Sequence, residues 1–140
     1  MSNVDENVFL ARVAEQAERF EDMVTFLEAA IASKNNDDFT VDERNLLSVG
    51  FKNLIGSQRG AIRTIGAIEQ NPKYTKFSDA LQNYKKKIET ELYDKCIEIV
   101  EVVKSKCLPL AADDESKAFF QKMIGDYYRY VAESAREDKL

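Results

Sequence analysis

Histidine is absent from the chain, which removes histidine-based acid and base catalysis, the usual nucleophile pairs and the commonest zinc ligand. The only cysteines, Cys96 and Cys107, fall within one apparent helix. About 16 Å of helix rise separates them, far beyond the reach of a disulfide. We expect both to be core thiols in a reducing compartment. The sequence therefore favours a protein that is not an enzyme, and it predicts no metal site and no cofactor.

Glycine and proline are also scarce, with 5 and 2 residues in a chain of 140. Charged residues of both signs make up 32% of the sequence. This combination is typical of long amphipathic helices, because a protein with many strands needs more turn residues. With 44% hydrophobic residues, the chain is long enough for one core and too short to argue for two. We predict an all-α fold in a single domain, residues 1–140.

A net charge of −5 disfavours broad attraction to nucleic acid or to an anionic membrane, although a local basic cleft can still bind an anion. No apolar run approaches the roughly 20 residues of a membrane span. The N-terminus carries Asp5 and Glu6 and does not look like a signal peptide. We expect no nucleic-acid partner, no membrane partner and a cytoplasmic location.

Hydrophobic periodicity predicts five helices, and we expect them to pack as an antiparallel bundle. The second helix should end at a polar turn, residues 35–38. Thr40 and Glu43 form a capping-box pattern at the start of the third helix, and Asp113 or Asp114 can cap the fifth. The helices are predicted at about residues 3–19, 20–34, 41–71, 76–106 and 114–137.

Two of these helices carry basic residues beside their apolar faces. At about 100° per residue, Lys52 and Arg59 lie together on the third helix. Lys122 and Arg129 do so on the fifth, where Tyr130 stays near the apolar centre. Two arginines suit a phosphate dianion because each planar guanidinium can bind two oxygens, and a tyrosine hydroxyl adds a neutral donor. By spacing alone, such charges more often form a solvated helix margin, and periodicity cannot bring the two helices together.

Several blocks of the sequence resemble the 14-3-3 family of phosphoserine- and phosphothreonine-binding adaptors. They include residues 14–23, 43–53, 87–92 and 125–130, and the resemblance runs through essentially the whole chain. It implies a fold of nine helices, of which we expect this chain to supply the first five and to lack the last four. It also implies phosphate-binding and accessory roles for the basic strips: Arg59, Arg129 and Tyr130 would bind the phosphate, with Lys52 and Lys122 as accessory residues.

The resemblance further implies a homodimer, or a heterodimer with a paralogue. The first two helices of one subunit would pack on the third and fourth helices of the other. We expect Arg19 to pair with Glu91, and Asp22 with Lys87, across that interface. Ordinary surface charges are the alternative. The residues predicted at the interface are Val13, Ala17, Arg19, Asp22, Tyr84, Lys87 and Glu91.

The function we expect is that of a non-enzymatic adaptor, which captures phosphorylated segments of client proteins in a basic groove as a dimer. The alternative, from a different class, is a structural helical dimerisation module without a competent phosphopeptide site. The two hypotheses differ in phosphate dependence. Substitution of Arg59 or Arg129 should abolish phosphopeptide binding under the first and leave partner choice unchanged under the second.

Overall fold

The computed structural model describes residues 3–34 and 37–139, with side chains up to residue 132. Five α-helices form this part of the chain, without a strand, which confirms the all-α prediction. Asn35 and Asn36 of the predicted polar turn lie outside the described residues. The helices are α1 (Asn3–Gln16), α2 (Phe20–Ala32), α3 (Val41–Glu69), α4 (Ser78–Val102) and α5 (Asp114–Lys139).

Short non-α segments join the longer helices. A 3-10 segment, Pro72–Phe77, connects α3 with α4, and Asn71 caps it by accepting a hydrogen bond from the Lys73 N–H at 3.0 Å. After α4 comes a π-helical turn, Val103–Cys107, and then a 3-10 turn, Leu108–Leu110. In the part of the chain that the structure describes, no helix is both long and apolar enough to cross a bilayer.

Helix α1 ends at Gln16, earlier than the predicted end at Arg19. The backbone of Glu18 has a φ of 58°, in the left-handed region that closes many helix C-termini. The Arg19 N–H then donates to the Ala14 carbonyl at 2.8 Å, which satisfies a carbonyl of the last turn. Glycine is the usual residue at a left-handed helix C-terminus, so the glutamate at position 18 did not indicate in the sequence that the helix ends here.

Two predicted helix starts are capped in the structure. The Thr40 side chain accepts a hydrogen bond from the Glu43 N–H at 3.1 Å, and the Thr40 N–H donates to the Glu43 carboxylate at 2.8 Å. This is the predicted capping box. At α5, the Asp113 carboxylate accepts from the Ser116 N–H at 2.8 Å. Caps of this kind each contribute about 1 kcal/mol to helix stability.

The core lies where α2, α3, α4 and α5 turn their apolar faces toward one another. Met23, Phe51 and Phe120 are at most 1% exposed. Burial of a side chain of this size stabilises the fold by about 1.5–3 kcal/mol. Helices α2 and α3 approach closely at Gly50, where an added methyl group would lie 3.1 Å from the Leu27 Cδ1. A side chain at position 50 would therefore require the Leu27 side chain to shift by a few tenths of an ångström.

Asp38 joins the loop before α3 to the segment before α5. Its Oδ2 accepts hydrogen bonds from the Ala112 and Asp113 N–H groups, at 2.9 and 3.4 Å, and its Oδ1 accepts from the Phe39 N–H at 2.7 Å. Beside it, the rings of Phe39 and Phe120 pack edge to face with centroids 5.0 Å apart. These contacts place the start of α5 against the start of α3.

The Asp38 contacts predict a stability that depends on pH. Desolvation acts to raise the pKa of Asp38, but the backbone hydrogen bonds, led by that from Ala112, outweigh it, and the pKa lies below its ordinary value. A carboxyl group with a depressed pKa in the folded state stabilises the fold above its unfolded pKa of about 4, and this contribution is lost as the pH falls through the folded pKa.

We expect Asp38→Ala to lower the free energy of unfolding at pH 7 by about 1 kcal/mol. The difference from the wild type should shrink at pH 3, as measured by urea denaturation at both pH values. Asp37→Ala is the matched control, because it removes the same charge from the exposed neighbouring residue. Equal losses in the two variants would contradict the assigned role of Asp38.

The thiols of Cys96 and Cys107 are free and fully buried, as predicted for core cysteines. Burial raises the pKa of Cys96 to about 11 and that of Cys107 to about 12. Because the thiolate is the reactive form, we expect both thiols to react with a disulfide reagent at pH 8 at least about 100-fold more slowly in the native protein than in guanidinium chloride. Single Cys→Ala variants would assign each rate, and rapid modification of the native protein would contradict the burial.

Candidate anion-binding site

Arg59 of α3 and Arg129 of α5 meet at the ring of Tyr130. The guanidinium carbon of Arg59 lies 4.3 Å from the ring centroid, and that of Arg129 lies 5.7 Å from it. Both distances are within the range of cation–π attraction. The structure therefore brings together the two basic helices that periodicity alone could not join.

The ring of Tyr130 is held in place by a second tyrosine that belongs to the core. Tyr127 is 3% exposed, and its ring packs against Tyr130 with centroids 5.5 Å apart and an interplanar angle of 86°. Burial raises the pKa of Tyr127 well above its ordinary range, so its hydroxyl stays neutral. The positive charge of Arg59 lowers the pKa of Tyr127 on α5 and of Cys96 on α4, against the larger effect of burial. The Arg59 guanidinium therefore lies near both α4 and α5.

Asp126 holds the two cations of α5. Its carboxylate accepts a hydrogen bond from the Lys122 ammonium group at 3.2 Å and lies 3.4 Å from the Arg129 guanidinium. These spacings of four and three residues put all three side chains on one face of the helix. The Arg129 side chain is still 62% exposed, so part of its guanidinium faces solvent. Among these three described side chains, one carboxylate is shared by two cations.

A cleft of about 90 Å³ lies between α3 and α5, and it is lined by both predicted accessory lysines, Lys52 and Lys122, together with Tyr130. Apolar side chains of Phe119 and Met123 form part of its wall. The two arginines border Tyr130 and are not part of the cleft lining. Asp126 also lines the cleft, where its carboxylate is paired with Lys122. Two lysines and two arginines around a tyrosine hydroxyl form an arrangement that can hold an oxyanion. Among the described residues, no group of three or more cysteine and carboxylate side chains is placed to hold a metal ion.

The residues predicted at a dimer interface lie on α1, on the turn between α1 and α2, on α2 and on α4. Val13 is 46% exposed and Tyr84 is 56% exposed, although both side chains are largely apolar. Within one chain, the Arg19 Nε donates to the Asp22 carboxylate at 2.8 Å. Pairing with Glu91 and Lys87 of a second subunit stays a prediction. Of the other predicted residues, Ala17, Lys87 and Glu91 are exposed and Asp22 is partly exposed.

Sequence reasoning missed two residues that stand out in the structure. Phe9, one turn before Val13 on α1, is 64% exposed although it is a large apolar residue, and its spacing of four residues from Val13 was the signal. Arg44 of α3 is only 5% exposed. Arg44 lies three residues before Leu47 and seven before Phe51, which puts it on the apolar face of α3. This spacing could have predicted its burial from the sequence.

Comparison with known proteins gives consistent matches. A sequence model of the family described as "14-3-3 protein" matches residues 10–140. A 14-3-3-like protein of Oenothera elata subsp. hookeri is 47% identical over 92% of this chain, and 14-3-3-like protein GF14 omega of Arabidopsis thaliana is 47% identical over 94%. The matched regions cover 51% and 52% of those two proteins. The chain thus spans about half the length of the curated relatives it matches.

Proposed function

The chain belongs to the 14-3-3 family, and we propose that it acts in the cytoplasm as a non-enzymatic adaptor that binds phosphoserine- and phosphothreonine-containing segments of other proteins. The observation that carries this proposal is the meeting of Arg59 and Arg129, from separate helices, at the ring of Tyr130. A phosphate dianion needs several charge-assisted donors that point to one place. Lys52 and Lys122, in the adjoining cleft, add positive charge with less geometric demand.

The proposed mechanism is capture without chemistry. Arg59 is partly buried and stacks on an anchored ring, so little side-chain entropy remains to be lost when it binds a phosphate. Arg129 is oriented by Asp126 and keeps donors toward solvent. Both arginines can bind phosphate oxygens in a bidentate manner, and the Tyr130 hydroxyl can donate to a third. A bound client segment would be masked or restrained by this contact.

We expect a phosphoserine peptide with an upstream arginine to bind, and its unphosphorylated counterpart to bind far more weakly, in a fluorescence anisotropy titration. Arg129→Ala and Arg59→Ala should each weaken binding of the phosphopeptide by about 10- to 100-fold, because each removes charge-assisted hydrogen bonds. Arg63→Ala is the matched control, since Arg63 is an exposed arginine on the same helix as Arg59. Circular dichroism of each variant checks the fold.

Two outcomes would contradict the proposed function. One is equal affinity for the phosphorylated and unphosphorylated peptides. The other is an equal loss in the Arg63, Arg59 and Arg129 variants, which would indicate general electrostatic attraction. A folded chain that binds neither peptide would favour the alternative of a structural dimerisation module.

We also propose that the adaptor is a homodimer, or a heterodimer with a paralogue. The support is the exposed apolar surface of Phe9 and Val13 on α1 and of Tyr84 on α4. Phe9 and Val13 lie one turn apart on the same helix, and large apolar side chains that are exposed together commonly mark an interaction site. A dimer would present two phosphate sites, so a doubly phosphorylated client would gain affinity from the effective concentration of the second site.

The proposed dimer predicts that substitution of Tyr84 on α4 changes the oligomeric state and that substitution of Tyr93 on the same helix does not. Tyr84→Asp should shift the protein toward monomer in sedimentation velocity, because a carboxylate buried at an interface without a partner costs several kcal/mol, on the order of 3. Tyr93→Asp is the matched control. Tyr93 is 50% exposed against 56% for Tyr84, and it lies about 180° around the helix. A monomeric wild type, or equal effects of the two substitutions, would contradict this interface.

A further inference from the structure

A second groove opens beside the cleft, at the N-terminal ends of α3 and α5. Its volume is about 290 Å³. Its polar side carries Arg44, Asn45 and Lys122, and its apolar side carries Val41, Ala118 and Phe119. Phe119 and Lys122 line both the groove and the cleft, so the two are adjacent.

Arg44 is the unusual member of this groove. It is 5% exposed, and its Nε is buried without a hydrogen-bond partner among the described residues. Its guanidinium carbon lies 5.5 Å from the centroid of the Phe119 ring, and its Nη2 lies 3.3 Å from the carboxylate of Glu115. That carboxylate is loosely held, because the Glu115 side chain is 78% exposed. A buried guanidinium with an unsatisfied donor is costly, and an additional anionic acceptor would relieve that cost.

We propose that this groove binds a carboxylate of the same segment whose phosphate occupies the Arg59, Arg129 and Tyr130 site, and that Arg44 is the residue that recognises it. The inference rests on the proposed phosphopeptide function. The carboxylate is either an acidic side chain of the bound segment or its C-terminal group. The apolar wall formed by Val41, Ala118 and Phe119 would contact the methylene groups that precede it.

The geometry of α3 sets the distance between the two anions. About 22 Å of helix rise separates Arg44 from Arg59, which contacts Tyr130 at the proposed phosphate site. An extended peptide advances about 3.3 Å per residue. The preferred carboxylate should therefore lie about seven residues from the phosphorylated residue in the sequence of the client.

Glu115 stands at the rim of the groove as an internal competitor. Its carboxylate accepts a hydrogen bond from one nitrogen of Arg44, and its charge would repel the carboxylate of a ligand. Removal of this charge should strengthen the preference for an acidic ligand, whereas removal of the Arg44 guanidinium should abolish it. The two substitutions thus act in opposite directions, which a purely structural role for the pair would not produce.

The test uses phosphoserine peptides that carry one glutamate at positions about two to nine from the phosphorylated residue, on either side. Each has a glutamine twin and an unphosphorylated version, and all are titrated into the full chain. We expect the glutamate peptide with a spacing of about seven residues to bind about five- to tenfold more tightly than its glutamine twin. A second arm compares a peptide that ends at this spacing as a free carboxylate with the same peptide as an amide, which distinguishes the two sources.

Variants then assign the effect to the groove. Glu115→Gln should increase the affinity ratio of the glutamate and glutamine peptides, and Arg44→Gln should bring this ratio to about one. Asp114→Asn is the matched control, because it removes the same charge from the exposed residue next to Glu115. If Arg44→Gln fails to fold, the Glu115→Gln result still tests the inference, since Glu115 is exposed at the surface.

The outcomes separate this inference from the function on which it rests. Phosphate-dependent binding with equal affinity for glutamate and glutamine at every position, and for carboxylate and amide, would overturn the inference alone. A preference for glutamate that Glu115→Gln leaves unchanged would also overturn it, because the carboxylate would then bind elsewhere. Loss of phosphate dependence would overturn both.

Discussion

The backbone N–H groups of Ala112 and Asp113 share one oxygen of Asp38, and this contact, together with the packing of α5 against α4, sets the direction of α5. About 24 Å of helix rise separates Asp113 from Arg129. A tilt of about 5° at the start of α5, transmitted along a rigid helix, would displace Arg129 by about 2 Å. Such a displacement would separate the two guanidinium groups at Tyr130, so the candidate anion site depends in part on a hydrogen bond made at the other end of the helix.

The site itself combines a rigid part with a solvated part. Tyr127 belongs to the core and holds the ring of Tyr130, on which Arg59 stacks. Arg129 instead remains largely exposed and relies on Asp126 for its orientation. This division suits the reversible capture of an anion: the buried side presents prearranged donors, and the exposed side lets water and ligand exchange without disturbance of the core.

Local patterns predicted much of this structure because they depend on neighbours in the sequence. Five helices, the Thr40 capping box and the Asp113 cap all follow from side chains within four residues of one another. Periodicity also placed Lys52 and Arg59 on one strip, since it fixes the angle of a residue about its own helix axis. It cannot fix which turn of α3 meets which turn of α5, and the contact of Arg59 with Tyr130 depends on that register. The residue types that the 14-3-3 resemblance singled out fall together at that contact, and their proposed role in phosphate binding stays untested.

The side chains of Phe119 and Lys122 form a wall common to the cleft and the groove beside it. A ligand that orders this wall in one compartment lowers the entropy cost of filling the other, so the two occupants would bind cooperatively. Under the proposed function, the adaptor would then work as a coincidence detector. One of its two signals is added to a client by modification, the other is encoded permanently in the client's sequence, and only their combination is read at full strength.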